Sequence, residues 1–515
     1  MVVLLLDFDL RIDNHQILHN SIKANIMKTK VSFTFLGGVN EVGGNIILLE
    51  DFTYDVKVLL DFGINIKDYN DQYERYEAPS SIKELLKIGL LPKAEIFSID
   101  NLYTDYKANK NQDCNDLETN IDGIFISHPH KDHFFGLSFV NRNIPIYTGV
   151  FTKKIISAYY KCSKDSITNN YGGLNWKLFR TGDILDLNGL EIIPVHVDHS
   201  IPAAYGFIIK TSEGIVVYTG DFRMHGPLAS MTQDFLDEIK NSLKVPHQQE
   251  NSKGEIQKSR EAKIKLLICE GTHIHKGAIE SENNVEQNLE QLFIKHPFDF
   301  LLVKFDRLDW DRFRTFSSIA KKFGWKFIIT EKDAYFYYLL NKDEIYESMK
   351  NPNIAADDHI LILTIGAVKY RWQEKIRQAI YKEEKGHRLI KFNELKELDS
   401  GFFFYITSLR KDIIEKFNPN FRGAFISSSI DPYTEEFIDN NRTLSRYFRK
   451  IGIPSYRIHA SGHAMPHHLI NFIKTVNPEH LIPIHTEQPH FFETLFRNSD
   501  INIIIPTKNE TINLP

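Results

Sequence analysis

The sequence predicts an α/β protein in which a second α/β lobe is inserted into the first. Up to about residue 270 the chain reads as short apolar strands set between glycine turns and polar loops. From about residue 275 strands alternate with amphipathic helices, and after Tyr456 strand-type segments return, now carrying histidines. At 515 residues the chain is long enough for two substantial cores.

Val31–Phe35 and Ile46–Glu50 read as strands around the turn Gly37-Gly38-Val39-Asn40-Glu41-Val42-Gly43-Gly44, and Val56–Asp61 as a strand ending in an acid before Phe62-Gly63. Residues 100–120, rich in Asn, Asp and Lys, read as a surface loop. Ile124–Ile126 is a short apolar strand leading straight into a histidine cluster. Glu191–Val195 and Gly206–Lys210 bracket His199, and Gly214–Tyr218 delivers Thr219-Gly220-Asp221. Residues 241–262 are polar and read as a loop, after which Leu266–Cys269 ends at Glu270. In the inserted region, Phe300–Val303, Lys326–Ile329, Phe402–Ile406 and Ala424–Ser427 read as buried strands. Trp310–Lys322, Tyr370–Glu383 and Glu435–Lys450 read as the helices between them.

Composition bounds the function. With 42% hydrophobic and 25% charged residues the chain falls in the soluble globular class. Cys114, Cys162 and Cys269 are odd in number and scattered, which points to a reducing cytoplasm and away from a disulfide framework. The apolar run Val2–Leu6, followed by Asp7 and Asp9, is too short for a signal peptide or a membrane span. Residues 1–26 fit poorly with the strand-like Val31–Phe35 and the segments after it, so Met27 is the expected natural start. A net charge of −5 does not mark a nucleic-acid binder; any such site has to be a local basic cleft, and charge alone favours a small-molecule hydrolase.

The strongest chemical signal is Ser127-His128-Pro129-His130-Lys131-Asp132-His133. Four ligand-type side chains fall within six residues, just after a strand, where a turn can aim neighbours into one space. Asp61 ends a predicted strand, His199 lies between two and Asp221 comes shortly after one. Singly, an acid at a strand end is an ordinary turn residue and a lone histidine is usually structural; together and in this order they point to a metal site.

His-x-His-x-Asp-His in this company resembles the metallo-β-lactamase superfamily, with Asp61, His199 in Asp198-His199-Ser200-Ile201-Pro202 and Asp221 in Thr219-Gly220-Asp221-Phe222-Arg223 matching its other motifs in order. The opening turn through Asn45, together with those same segments, resembles β-CASP nucleases of the ribonuclease J kind. The resemblance implies an αββα sandwich with a β-CASP lobe inserted between Glu270 and His463, divided as residues 27–270, 271–455 and 456–515. It implies two zinc ions, exchangeable with manganese: one on His128, His130 and His199, the other on Asp132, His133 and His485, with Asp221 bridging. It further implies hydrolysis of single-stranded RNA by water activated between the ions, leaving 5′-phosphates, with Asp61 orienting ligands and Glu270 and His463 acting on the leaving group. In Glu270-Gly271-Thr272 the chain departs from ribonuclease J toward RNA 3′-processing and DNA-repair β-CASP enzymes, and the C-terminal assembly domain of ribonuclease J is expected to be absent.

Expected substrate contacts are Ser427, Ser428, Ser461, Gly462 and Arg312, the last within the basic group Lys304, Arg307, Arg312 and Arg314. Such a charge group is more often a solvated helix face, and a serine run is an ordinary turn. A DNA-directed β-CASP nuclease, a small-molecule metallo-hydrolase and a non-catalytic scaffold subunit stay open as alternatives, as do a homodimer and a place in a larger complex.

Overall fold

Three seven-stranded sheets organise the chain in the computed structural model. The structure describes residues 30–73, 78–104, 117–162, 167–244, 263–277, 281–341, 343, 347, 351–354, 356–364, 366–383, 385–398, 401–406, 422–429 and 446–514. The expected start at Met27, Cys114, and most of the loops at 100–120 and 241–262 lie outside the described residues, as does 435–445 of the third expected helix.

The first sheet runs in the order Thr511–Asn513, Val31–Gly37, Ile46–Asp51, Val56–Leu60, Gly123–Ile126, Pro145–Gly149 and Asn175–Phe179. The second runs Asn502–Ile503, His480–Ile484, Ile264–Glu270, Gly214–Tyr218, Ala204–Thr211, Leu190–Val197 and Leu185–Leu187. Alternate residues of the two face each other: Phe33, Phe35, Leu49, Val58 and Phe125 from the first pack with Phe207, Ile209, Val216, Leu266 and Ile482 from the second. The outer face of the second sheet takes helices Ala229–Ser242, Pro466–Val476 and His490–Phe496 through Phe235, Phe472 and Phe492. The outer face of the first takes Leu85 and Ile156 from helices Ile82–Lys87 and Val150–Cys162. The result is the expected αββα sandwich.

The third sheet is all parallel, ordered Leu389–Lys391, Ile360–Thr364, Lys326–Thr330, Phe402–Tyr405, Phe300–Lys304, Gly423–Ser427 and Ser455–Arg457. Its five inner strands are near-continuous apolar runs, as burial on both faces requires. Helix Trp310–Lys322 has the predicted bounds and Arg371–Lys382 lies within its predicted span. Ser455–Arg457 corrects one expectation: it closes the edge of this third sheet and does not begin the return to the first lobe. Strands Pro145–Gly149 and Asn175–Phe179 were not legible, because a leading proline and exposed Lys177 and Leu178 break the alternation that marks a strand. Among the described residues no helix is long and apolar enough to cross a membrane.

Buried charge joins the inserted lobe to the sandwich. Arg223, just past Asp221, is 1% exposed; its Nη2 donates to Asp198 Oδ1 at 3.1 Å and to Asp311 Oδ2 in helix Trp310–Lys322. One helix residue on, Arg312 is fully buried. Its guanidinium donates to Glu282 Oε2 at 3.0 Å, Ser428 Oγ at 2.5 Å and the Ala460 carbonyl at 3.1 Å. Removing one partner of a buried pair strands the other charge. Asp311→Ala is therefore expected to cost ~3–5 kcal/mol, read as a lower urea midpoint; an unchanged midpoint would show that this joint contributes nothing to stability.

Candidate metal centre

Both sandwich sheets deliver polar side chains at the C-terminal ends of their strands. Asp61 follows Val56–Leu60, Ser127 and His128 follow Gly123–Ile126, His199 follows Leu190–Val197, Asp221 follows Gly214–Tyr218 and His485 follows His480–Ile484. Asp61 and His485 adopt left-handed backbone, φ +57° and +53°, so the chain turns sharply where each side chain must aim inward. His130 caps the four-residue helix Lys131–Phe134. That helix lies so close to Gly63 that a Cβ there would fall 1.6 Å from the Asp132 carbonyl oxygen, so only glycine fits.

These side chains form two groups, His128, His130, His199 and Asp221, and Asp132, His133, Asp221 and His485; within each, the donor atoms lie within 4.8 Å of one another. His130 Nδ1 stands 3.0 Å from both His128 Nε2 and His199 Nε2. Asp221 Oδ2 is 3.2 Å from His133 Nε2, 3.5 Å from His485 Nε2 and 3.7 Å from His128 Nε2. Neither Asp221 oxygen nor His133 Nε2 finds a hydrogen-bond partner among the described residues. Buried polar atoms are ordinarily satisfied, and lone pairs facing one another at contact distance need a cation between them. The donor set of imidazoles with carboxylates suits zinc and, more weakly, manganese.

The outward nitrogens are held by a second layer. His133 Nδ1 donates to Asp61 Oδ2 at 2.7 Å, and the Tyr218 and Ser127 hydroxyls donate to the same oxygen at 2.5 and 2.8 Å. With its own proton on Asp61, Ser127 Oγ accepts from His128 Nδ1 at 3.0 Å. His199 Nδ1 donates to the Gly462 carbonyl, and His485 Nδ1 to Thr272 Oγ1 at 2.9 Å. Each arrangement puts the ring proton on Nδ1 and the Nε2 lone pair inward. Burial, reinforced by neighbouring imidazoles, pushes the His128 and His199 pKa values well down, so both are neutral and able to ligate. Burial opposes ionisation of Asp221, but His485 and His133, whose own pKa values Asp221 raises in return, outweigh it and keep the carboxylate charged; a bound cation would take the place of their Nε2 protons.

The cleft beside these groups, about 450 Å³, is lined from the sandwich by Lys67, Lys131, Tyr159 and His463 and from the inserted lobe by Asp306, Arg307, Asp309 and Ser428. Glu270 and His463 meet, with His463 Nδ1 at 3.5 Å from Glu270 Oε1. Thr272 Oγ1 is nearer, 3.1 Å from the same nitrogen, and Glu270 Oε2 accepts from the Thr272 amide at 2.9 Å. Asp61 lies behind His133 and does not line the cleft.

Several expected substrate contacts are placed elsewhere. Arg312 is committed to internal partners, which corrects its reading as a surface cation. Ser427 and Ser461 are not in the lining; Ser461 Oγ lies 2.6 Å from His273 Nε2 and accepts the His463 amide at 3.1 Å. Ser428 and Gly462 do reach the cleft, but the Ser428 hydroxyl donates to the Ile458 carbonyl and the Gly462 carbonyl takes the His199 proton. Of the basic group, Arg307 lines the cleft while paired to Asp333 at 2.6 Å, and Arg314 pairs with Asp311 at 2.9 Å. Thr272, His273, Ser127, Tyr218 and Tyr159 were missed. Thr272 and His273 adjoin Glu270 in sequence, the one signal that could have found them.

An αββα sandwich with paired His/Asp groups at its strand ends has the metallo-β-lactamase arrangement. The chain matches a β-lactamase superfamily domain over residues 101–239 and a Zn-dependent metallo-hydrolase RNA specificity domain over 455–506. It is 22% identical to ribonuclease J of Helicobacter pylori over 94% of its own length and 59% of that protein's. It is 21% identical to ribonuclease J 2 of Staphylococcus saprophyticus, covering 88% of this chain and 68% of that one. The chain thus spans 59% of the length of the Helicobacter relatives. A crystal structure of a protein of unknown function from Enterococcus faecalis superposes with a TM-score of 0.68 at 20% identity, over 94% of this chain and 99% of that one, a likeness of fold. On these matches the chain resembles the metallo-β-lactamase superfamily and, among its members, ribonuclease J.

The second layer makes one expectation measurable. Asp61→Asn removes the anion that holds the His133 proton and is expected to weaken metal binding by ~10–100-fold. Competition against a chromogenic chelator reads it; wild-type affinity would show that Asp61 serves the fold alone.

Proposed function

We propose that this chain is a metal-dependent ribonuclease that hydrolyses single-stranded RNA to leave 5′-phosphates. The observation that carries the reading is the convergence of two ligand groups sharing Asp221 at a cleft that also holds His463. The RNA-specificity match and the likeness to ribonuclease J support RNA as the polymer. His128, His130, His199 and Asp221 would hold one divalent cation and Asp132, His133, Asp221 and His485 the other. Bound there, zinc or manganese supplies Lewis acidity toward water and the scissile phosphate.

The rest of the chemistry falls to the chain. Water oxygen adds to phosphorus, the P–O3′ bond breaks, and O3′ leaves as a hydroxyl only if it gains a proton. His463 is placed to give it. Its Nδ1 faces Thr272 Oγ1 at 3.1 Å and Glu270 Oε1 at 3.5 Å, and these two neighbours fix the plane of the ring beside the metal groups. Glu270, fully buried, is itself held by the Thr272 and Ala464 amides. Arg223 and Arg312 keep the inserted wall of the cleft against the sandwich.

End-labelled single-stranded RNA and DNA, incubated with purified protein with and without chelator, test the reading. The expected result is chelator-sensitive cleavage of RNA to 5′-phosphorylated products; cleavage of DNA alone, or of neither polymer, overturns it. His463→Ala is expected to retain metal and RNA affinity yet cleave ~100-fold more slowly. A substrate with sulfur at the 3′-bridging position, whose thiolate leaves without a proton, should recover much of that loss. If the variant cleaves it no better than ordinary RNA, His463 is not the acid.

A further inference from the structure

Lys131 stands between two candidate ligands, His130 and Asp132, yet belongs to neither group. Its Cα is fixed with theirs, because the turn that aims them is locked by the His133 amide on the His130 carbonyl at 2.9 Å and by the close approach at Gly63. The side chain lines the cleft, and its ammonium sits 4.9 Å from the centroid of the Tyr159 ring. Tyr159 comes from helix Val150–Cys162 and lines the same cleft.

The other cations of the lining are neutralised in part. Arg307 is paired with Asp333 at 2.6 Å, and Lys67 lies 3.8 Å from Glu487. Lys131 forms no salt bridge among the described residues; Asp306, across the same cleft, favours its charge without pairing with it. An ammonium held on an aromatic face keeps its charge and its outward N–H donors. In a chain of net charge −5, a cation so placed beside the reacting centre is where a polyanion gains most.

We propose that Lys131, seated on Tyr159, binds a backbone phosphate of the nucleic acid adjacent to the scissile one, and so sets which phosphate is presented to the metal centre. The inference rests on the ribonuclease reading and assigns to this chain a substrate contact on the sandwich wall, where charge pattern had pointed only to the inserted lobe. Lys131 is thus a substrate-binding residue, and Tyr159 a positioning residue that acts through it.

Lys131→Met and Lys131→Arg, compared with wild type in the full-length protein, test it. Binding of a fluorescein-labelled single-stranded 12-nucleotide RNA is followed by anisotropy in chelator, where cleavage is blocked, over a range of salt. The slope of log K against log salt is expected to be shallower by ~0.7 in Lys131→Met, the value for one phosphate contact on a single strand, and preserved in Lys131→Arg. With metal restored, KM for RNA should rise about tenfold in Lys131→Met, and the loss should exceed that for a chromogenic diester carrying one phosphate. Unchanged slope and KM in Lys131→Met, with wild type binding and cleaving RNA, overturns the assignment and leaves the ribonuclease reading standing. Wild type that neither binds nor cleaves RNA overturns both. A Lys131→Met protein that no longer takes up metal assigns the residue to holding the ligand turn and also overturns the proposal.

Discussion

Burying a carboxylate without a hydrogen-bond donor is the constraint around which this molecule is arranged. Asp221 is 1% exposed, neither of its oxygens has a hydrogen-bond partner among the described residues, and Oδ2 faces imidazole nitrogens of both candidate groups. In a medium of low dielectric an unpaired anion is tolerated only beside positive charge. Two divalent cations would meet that demand, and the sandwich positions the donors that would hold them. Five of the strands that end at the site belong to two different sheets, so packing between the sheets sets the distance between ligands.

That dependence runs outward through the second layer. Asp61 collects the Ser127 amide and hydroxyl, the Tyr218 hydroxyl and the His133 ring, so one buried acid fixes two ligand histidines, one of them through Ser127. Thr272 does the same for His485 and His463, and Gly462 for His199. His463 therefore shares its supports with metal-group residues, and a shift in one moves the other. The inserted lobe enters this arrangement through Arg223 and Arg312, whose partners lie on both sides of the cleft.

The parts legible in the sequence were those whose chemistry is local. His128, His130, Asp132 and His133 lie within one turn, and Asp61, His199 and Asp221 come at or after strand-type segments, so spacing and order point to them, while His485 is reached only through the family resemblance. The sandwich and the alternating strands and helices of the insertion were legible for the same reason, as period and length. Contacts between distant residues were not. Nothing near Thr272 shows that His485, more than two hundred residues later, will place its ring proton on that hydroxyl. Arg312 misled because a basic residue in a charged helix looks the same whether it faces water or a buried Glu282; only tertiary packing decides. Lys131 was hidden by its neighbours, since a motif read for its ligands draws no notice to the residue between them.

Two cations sharing one carboxylate are the central claim, and anomalous diffraction from crystals of the zinc-loaded protein tests it most directly. The expected result is two anomalous peaks ~3.5–4 Å apart, one among His128, His130 and His199, the other among Asp132, His133 and His485, with Asp221 between them. No peak at these residues, or a single one that leaves Asp132 and His485 unliganded, would contradict it.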